Sequence, residues 1–194
     1  MLMIGLIMAL RFAGRGSVST FFNVYLDDAL GSPTSMVGGL AAGAQLLSVP
    51  AALIAPLLVG RRGNPRVIFW GMIGIAVTTL PLALVPHWTM AGFGYISSTA
   101  LFIVSAGPLR VFSQELVAHR WRATMASAFM LGPGISYALV SLVGGYAIVS
   151  VGYRPVFFVS ALSVLAAGLL FWYWFRVPRG EMARPSVPET EDQA

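Results

Sequence analysis

The chain has 194 residues, of which 57% are hydrophobic, 12% aromatic and only 10% charged, with a formal net charge of +5. Its mean hydropathy is +0.80. A water-soluble fold of this size cannot cover so much apolar surface with so few charges, and a disordered chain needs the opposite composition. Cysteine is absent, which excludes disulfide frameworks, thiolate metal sites and cysteine nucleophiles. The class that remains is a multi-span membrane protein.

Charge-free intervals divide the chain. Ala29 to Gly60, Val67 to Leu109, Ala123 to Tyr153 and Pro155 to Phe175 contain no Asp, Glu, Lys or Arg. A spanning helix needs about 20 apolar residues at about 1.5 Å each. In chain order, Met1 to Leu26 holds a first span and Ala29 to Gly60 a second. Val67 to Leu109 is too long for one span and breaks at Pro81-Leu-Ala-Leu-Val-Pro86-His87-Trp88, a proline-flanked turn with an interfacial aromatic. The expected spans are 2–26, 35–58, 67–86, 90–112, 124–150 and 155–175. None of them alternates apolar and polar residues as a barrel strand does. Residues 1–176 are thus one six-span bundle. Residues 177–194, Pro- and Glu-containing and without apolar period, read as a disordered cytoplasmic tail.

All the basic residues are Arg. Six spans put both termini on one side. If that side is the cytoplasm, Arg61, Arg62, Arg66, Arg120, Arg122, Arg176, Arg179 and Arg184 are inside and Arg154 is in an outer loop, as the positive-inside rule asks. The expected location is the cell membrane, multi-pass, with the lipid bilayer as partner. These Arg residues flank apolar spans, so the basic balance does not point to nucleic acid. Met1 opens straight into apolar residues, and the first Arg comes at position 11, the wrong order for a signal peptide. Either the chain starts with a span or it is the later part of a longer protein.

The first span carries the polar signal. Arg11, Arg15, Ser19, Asn23 and Asp27 recur every fourth residue, a stripe that drifts about 40° per step. A span starting after Arg11 would be only about 22 Å long against a core of about 30 Å, so both Arg residues lie well inside. Each costs about 2.5–3.5 kcal/mol at a helix centre on insertion scales. Roughly a dozen strongly apolar neighbours return about 6 kcal/mol, so the helix inserts near break-even and needs partners for the stripe. Two readings stand. In one, Arg11, Arg15, Ser19 and Asn23 line a path, and the Arg pair favours anionic or carboxylate-bearing substrates. In the other, both Arg residues snorkel or pair structurally. Gln45 in the second span reads as a buried amide for helix contact or substrate contact, and Gly38, Gly39 and Gly43 as close packing. In the fifth span Gly132-Pro133-Gly134 permits a kink, and Tyr137 offers a polar contact. Catalysis finds no support. Asp27 and Asp28 are adjacent loop residues, and neither His87 nor His119 has metal-ligand spacing. No cofactor or metal is expected.

Three local features carry a resemblance. Phe21-Phe-Asn-Val-Tyr-Leu26, a short loop and Met36-Val-Gly-Gly form the first. Gly60-Arg-Arg-Gly-Asn-Pro-Arg66 forms the second. The third is Glu115-Leu-Val-Ala-His-Arg-Trp-Arg122-Ala-Thr, with Gly152-Tyr-Arg154-Pro-Val-Phe following. In this order they resemble the C-terminal half of a major facilitator superfamily transporter, from its seventh helix to its twelfth. The second feature is similar to the family's cytoplasmic loop Gly-x-x-x-Asp-Arg-x-Gly-Arg-Arg. Arg61 and Gly63 match it, Gly60 stands in place of the Asp, Pro56 replaces the first Gly, and Asn64-Pro65 replaces the paired Arg. The resemblance implies an all-α membrane fold, six transmembrane helices as two inverted three-helix repeats. It implies secondary transport of a small-molecule substrate by alternating access, with no enzymatic activity. A second six-helix half would be required, from a missing N-terminal half or a homodimer. Gly60, Arg61, Gly63, Arg66 and Arg122 would serve the gating or cytoplasmic loops. The alternative is a non-transporting membrane remnant or accessory scaffold.

Overall fold

The computed structural model describes residues 2–175. The expected tail, 177–194, with Arg176, Arg179 and Arg184, lies outside the described residues. Six long helices run in order: α1 (Leu2–Val24), α2 (Thr34–Arg62), α3 (Asn64–Leu84), α4 (Trp88–Glu115), α5 (Arg122–Val151) and α6 (Tyr153–Phe175). A single π turn, Tyr25–Ala29, extends α1, and a 3-10 turn, His119–Trp121, precedes α5. No strand occurs among the described residues. All but α1 are long and apolar enough to cross a membrane. In α1 the same polar stripe that distinguishes it in sequence lowers its hydropathy.

The helices pack in a pattern that repeats. α1 packs against α5 and α6, α4 packs against α2 and α3, and α3 and α6 pack on each other. Exchanging α1 with α4, α2 with α5 and α3 with α6 leaves this pattern unchanged. The residue-level repeat is faint, but the junctions echo it. Gly63 joins α2 to α3 with φ 79° and ψ 156°, and Gly152 joins α5 to α6 with φ 84° and ψ 179°. Only glycine adopts that region readily, so a one-residue joint between antiparallel helices demands it. Each Gly N–H closes the preceding helix, on Val59 O at 2.8 Å and on Ile148 O at 2.9 Å. The crossings repeat as well. A Cβ on Gly14 of α1 would stand 2.5 Å from the Ser160 carbonyl oxygen of α6, and one on Gly94 of α4 would stand 2.6 Å from the Thr78 carbonyl oxygen of α3. Small residues allow such close approach of membrane helices.

Two apolar clusters fill the interior. One joins Ile7, Met8 and Phe12 of α1 to Ile68 and Met72 of α3, Leu109 and Phe112 of α4, and Val164 and Phe171 of α6. The other joins Val18, Phe22 and Leu26 to Leu82, Ala91 and Phe157. Arg11 and Arg15 fall between them. By contrast, α2 and α5 are the least buried of the five apolar helices. Leu53 is 72% exposed and Val149 is 89% exposed. Gly38 and Gly39 meet nothing within 4 Å, and Gly43 only the tip of Ile96. The close packing expected of these glycines is not made inside this bundle.

Candidate functional site

The site is the seam between α1 and α4. Their backbones approach each other sparsely, and long side chains bridge the gap. Arg11 donates from Nη2 to Ser105 Oγ at 2.8 Å and to the Phe102 carbonyl at 3.2 Å. Arg15 donates from Nη2 to Thr99 Oγ1 at 2.8 Å. Rising numbers on α1 meet falling numbers on α4, so the two helices are antiparallel. Ser105 gives its own proton to Leu101 O at 2.8 Å, and Thr99 gives its proton to Tyr95 O at 2.6 Å. Back-bonding of this kind is usual in membrane helices. Here it turns the hydroxyl lone pairs outward, where the guanidinium groups use them.

Aromatic rings complete the seam. The Arg11 guanidinium carbon lies 4.5 Å from the Phe102 ring centroid, and that of Arg15 lies 5.7 Å from Phe102 and 5.5 Å from Tyr95. Such cation–π contacts strengthen where water is excluded. Phe22 stacks on Tyr95 with centroids 3.9 Å apart. Arg11 is only 1% exposed and Arg15 7%, yet Arg11 Nε and Arg15 Nη1 have no hydrogen-bond partner. Buried N–H groups of charged side chains are costly to leave unmet.

The structure brings some of the expected residues together and separates others. Arg11 and Arg15 meet in the seam, and the Tyr137 ring lies nearby across Gly16, where a Cβ would meet its Cδ1 at 3.1 Å. Ser19 spends its hydroxyl on Gly16 O at 3.1 Å. Asn23 is exposed near the C-terminal end of α1, just before the π turn. Gln45 is exposed on α2, contrary to the expectation of a buried amide. Its helix packs on α4 by another face, so the amide points away from the core. Arg61, Gly63 and Arg66 are exposed around the α2–α3 joint, next to Gly60. Arg122 is exposed at the start of α5, beside the Arg120–Trp121 contact at 5.8 Å. Sequence reasoning missed the acceptors Thr99 and Ser105 and the ring of Phe102. The signal was a face of α4, Tyr95, Thr99, Phe102 and Ser105, whose spacings of four, three and three residues trace one helix side.

A different arrangement closes the opposite end. Arg154 donates from Nε to Ala83 O at 2.9 Å and from Nη2 to Leu84 O at 2.5 Å, which satisfies the last carbonyls of α3. The neighbouring Tyr153 hydroxyl donates to Asp28 Oδ2 at 2.9 Å and ties α6 to the π turn after α1. A cavity of about 280 Å³ lies beside Tyr25, Pro86 and Arg154. A larger one, about 320 Å³, sits on the far side of α1 between α5 and α6, walled mostly by Leu139, Val140, Val143 and Val156. Its walls offer little beyond Ser17, Ser160 and Ser163 for polar chemistry.

No group of three or more His, Cys, Asp or Glu residues that could hold a metal occurs among the described residues. No curated protein matches the chain. The sequence model of the Major Facilitator Superfamily matches residues 4–191. That match spans the six helices, the Arg-rich turns and the seam between α1 and α4, so this multi-pass membrane protein belongs to the Major Facilitator Superfamily, a family of transporters.

Proposed function

We propose that the chain works as one half of a secondary transporter that moves a small molecule by alternating access, with a second six-helix half packed on the exposed faces of α2 and α5. The observation that carries this is the contrast between those faces and the α1–α4 seam. A bundle that leaves large apolar side chains uncovered on two repeat-related helices, and keeps paired charges beside its centre, supports a cavity shared with a second bundle. Arg11, Arg15 and Tyr137 serve the substrate path within the seam. Ser19, Asn23 and Gln45 extend it, the last two from the exposed surface. The Arg-rich end, with Gly60, Arg61, Gly63, Arg66 and Arg122, faces the cytoplasm of the cell membrane with both termini, and its guanidinium groups hold the lipid surface. The family's loop carboxylate is replaced by Gly60, so this copy lacks that charge pairing at the gate.

The chain contains no cysteine, so single introduced thiols report without background. Asn23→Cys and Arg61→Cys variants, in sealed right-side-out vesicles, are labelled with a membrane-impermeant maleimide before and after substrate mixtures are added. Alternating access requires Asn23→Cys to react from outside and Arg61→Cys only from inside. Their rates must move in opposite senses on substrate addition. Reaction of Arg61→Cys from outside, or rates that never change together, ends the proposal.

A further inference from the structure

We infer that the α1–α4 seam binds an organic carboxylate, with Arg11 and Arg15 together holding its oxygens. That this anion is the transported solute rests on the half-transporter reading above; the binding itself rests on the seam. Two guanidinium groups one helical turn apart are buried in the same layer. Everything that meets them is neutral: Ser105, Thr99, the Phe102 carbonyl and aromatic faces. The described carboxylates stand at helix ends. Asp27 is about 18 Å along α1 from Arg15, and Glu115 about 15 Å along α4 from Ser105, at about 1.5 Å per residue. Neither they nor Asp28 touches the pair. Two like charges in a low-dielectric layer repel each other, and burial without a counter-charge is unfavourable. An anion between them removes both problems.

The geometry narrows the class. Arg11 Nε and Arg15 Nη1 are buried donors without a partner, one from each residue. Two charged N–H donors on separate side chains match the two oxygens of a carboxylate, one oxygen to each guanidinium. The rings beside the pair are Phe102 and Tyr95, with Phe22 stacked on Tyr95, and such neighbours suit a carbon body and not the hydration shell of an inorganic ion. A carboxylate with a flat or short apolar body therefore fits better than phosphate.

The test is thermal unfolding of the full chain, purified in detergent, at constant ionic strength. The probes are sodium benzoate, sodium succinate, sodium phosphate, benzamide and succinamide, with sodium chloride as reference. Benzoate or succinate should raise the midpoint saturably, while the amides and phosphate leave it within about 1 °C of the chloride value. Arg11→Gln and Arg15→Gln should each raise the half-saturating concentration by about tenfold or more, the scale of one charge-assisted hydrogen bond. If a glutamine variant loses its cooperative transition, Arg11→Lys and Arg15→Lys take its place. They keep charge and length but lose the fork, and each should raise half-saturation at least about threefold. An equal shift from an amide or from phosphate, no saturable shift from either carboxylate, or a shift that survives in both substituted proteins overturns the inference. Flux separates the two claims. Carboxylate binding without uptake into proteoliposomes breaks the transport reading alone. Uptake of labelled benzoate that ignores both glutamine substitutions breaks this inference alone.

Discussion

Arg11 and Arg154 are the same side chain put to different ends. Arg154 stands at an exposed helix start and spends its N–H groups on Ala83 O and Leu84 O, carbonyls that α3 leaves without partners. Arg11 is buried, meets two neutral acceptors and still leaves Nε open. The first arrangement is complete within the chain. The second leaves a buried N–H unmet, the difference on which the proposed carboxylate site rests.

Substitution by methionine, close in length and uncharged, breaks this comparison if it is wrong. Arg11→Met should cause the largest change in function without lowering stability. Its acceptors lose nothing essential, because Ser105 still donates to Leu101 O. Replacing a buried charge by an apolar side chain is often neutral or stabilising, by up to about 4 kcal/mol. Saturable carboxylate binding should fall by roughly 10- to 100-fold, the equivalent of about 1.5–3 kcal/mol for a charged hydrogen bond. Arg154→Met should do the reverse, with binding retained and unfolding easier by about 1 kcal/mol, since its partners are partly solvated. Urea or detergent titration followed by circular dichroism reads stability, and the carboxylate-induced midpoint shift reads binding. Equal losses of stability in the two variants would erase the distinction.

The joints sharpen the same comparison on a different axis, because Gly63 and Gly152 hold equivalent places in the two triplets. Alanine at either must take a backbone conformation that L-residues avoid, at about 1–3 kcal/mol. Gly152→Ala and Gly63→Ala should therefore cost similar amounts, measured by the same titration. A cost at one joint only would mean that the repeat is a likeness of packing without a likeness of strain.

Much of this is legible in the sequence. Charge-free intervals mark helices because lipid forbids charge, and the span arithmetic places Arg11 and Arg15 within the first helix, where the bundle buries both. Three things were hidden. Gln45 was expected to be buried because it is a lone amide in an apolar run, but α2 exposes that side. Hydropathy reports the solvent of a helix and not which face has a neighbour. Thr99 and Ser105 do not stand out in the sequence, since hydroxyls in membrane helices usually bond to their own backbone. That is true of their protons and silent about their lone pairs. The three-helix repeat left almost no residue signature because the packing pattern is conserved between helix pairs whose side chains differ. Only the paired Gly joints, followed by Asn64-Pro65 in one case and by Tyr153-Arg154-Pro155 in the other, were open to inspection.

The smallest effects belong to two tyrosines that touch each other at the Asp27–Asp28 end. The rings of Tyr25 and Tyr153 lie 5.5 Å apart, and each loses one hydroxyl on replacement by phenylalanine. Tyr153 donates to Asp28 at 2.9 Å in an exposed position, so Tyr153→Phe should destabilise by about 0.5–1 kcal/mol, because a solvated hydrogen bond is readily replaced by water. Tyr25 is 2% exposed and its hydroxyl meets no partner. Burying that group unbonded is unfavourable, so Tyr25→Phe should leave stability unchanged or raise it by about 1 kcal/mol. The same atom is removed from neighbouring rings with opposite sign expected, and a shared error in the measurement cancels in the difference. If Tyr25→Phe is the more damaging of the two, its hydroxyl has a partner in the membrane-embedded protein, and the about 280 Å³ cavity beside it is where that partner sits.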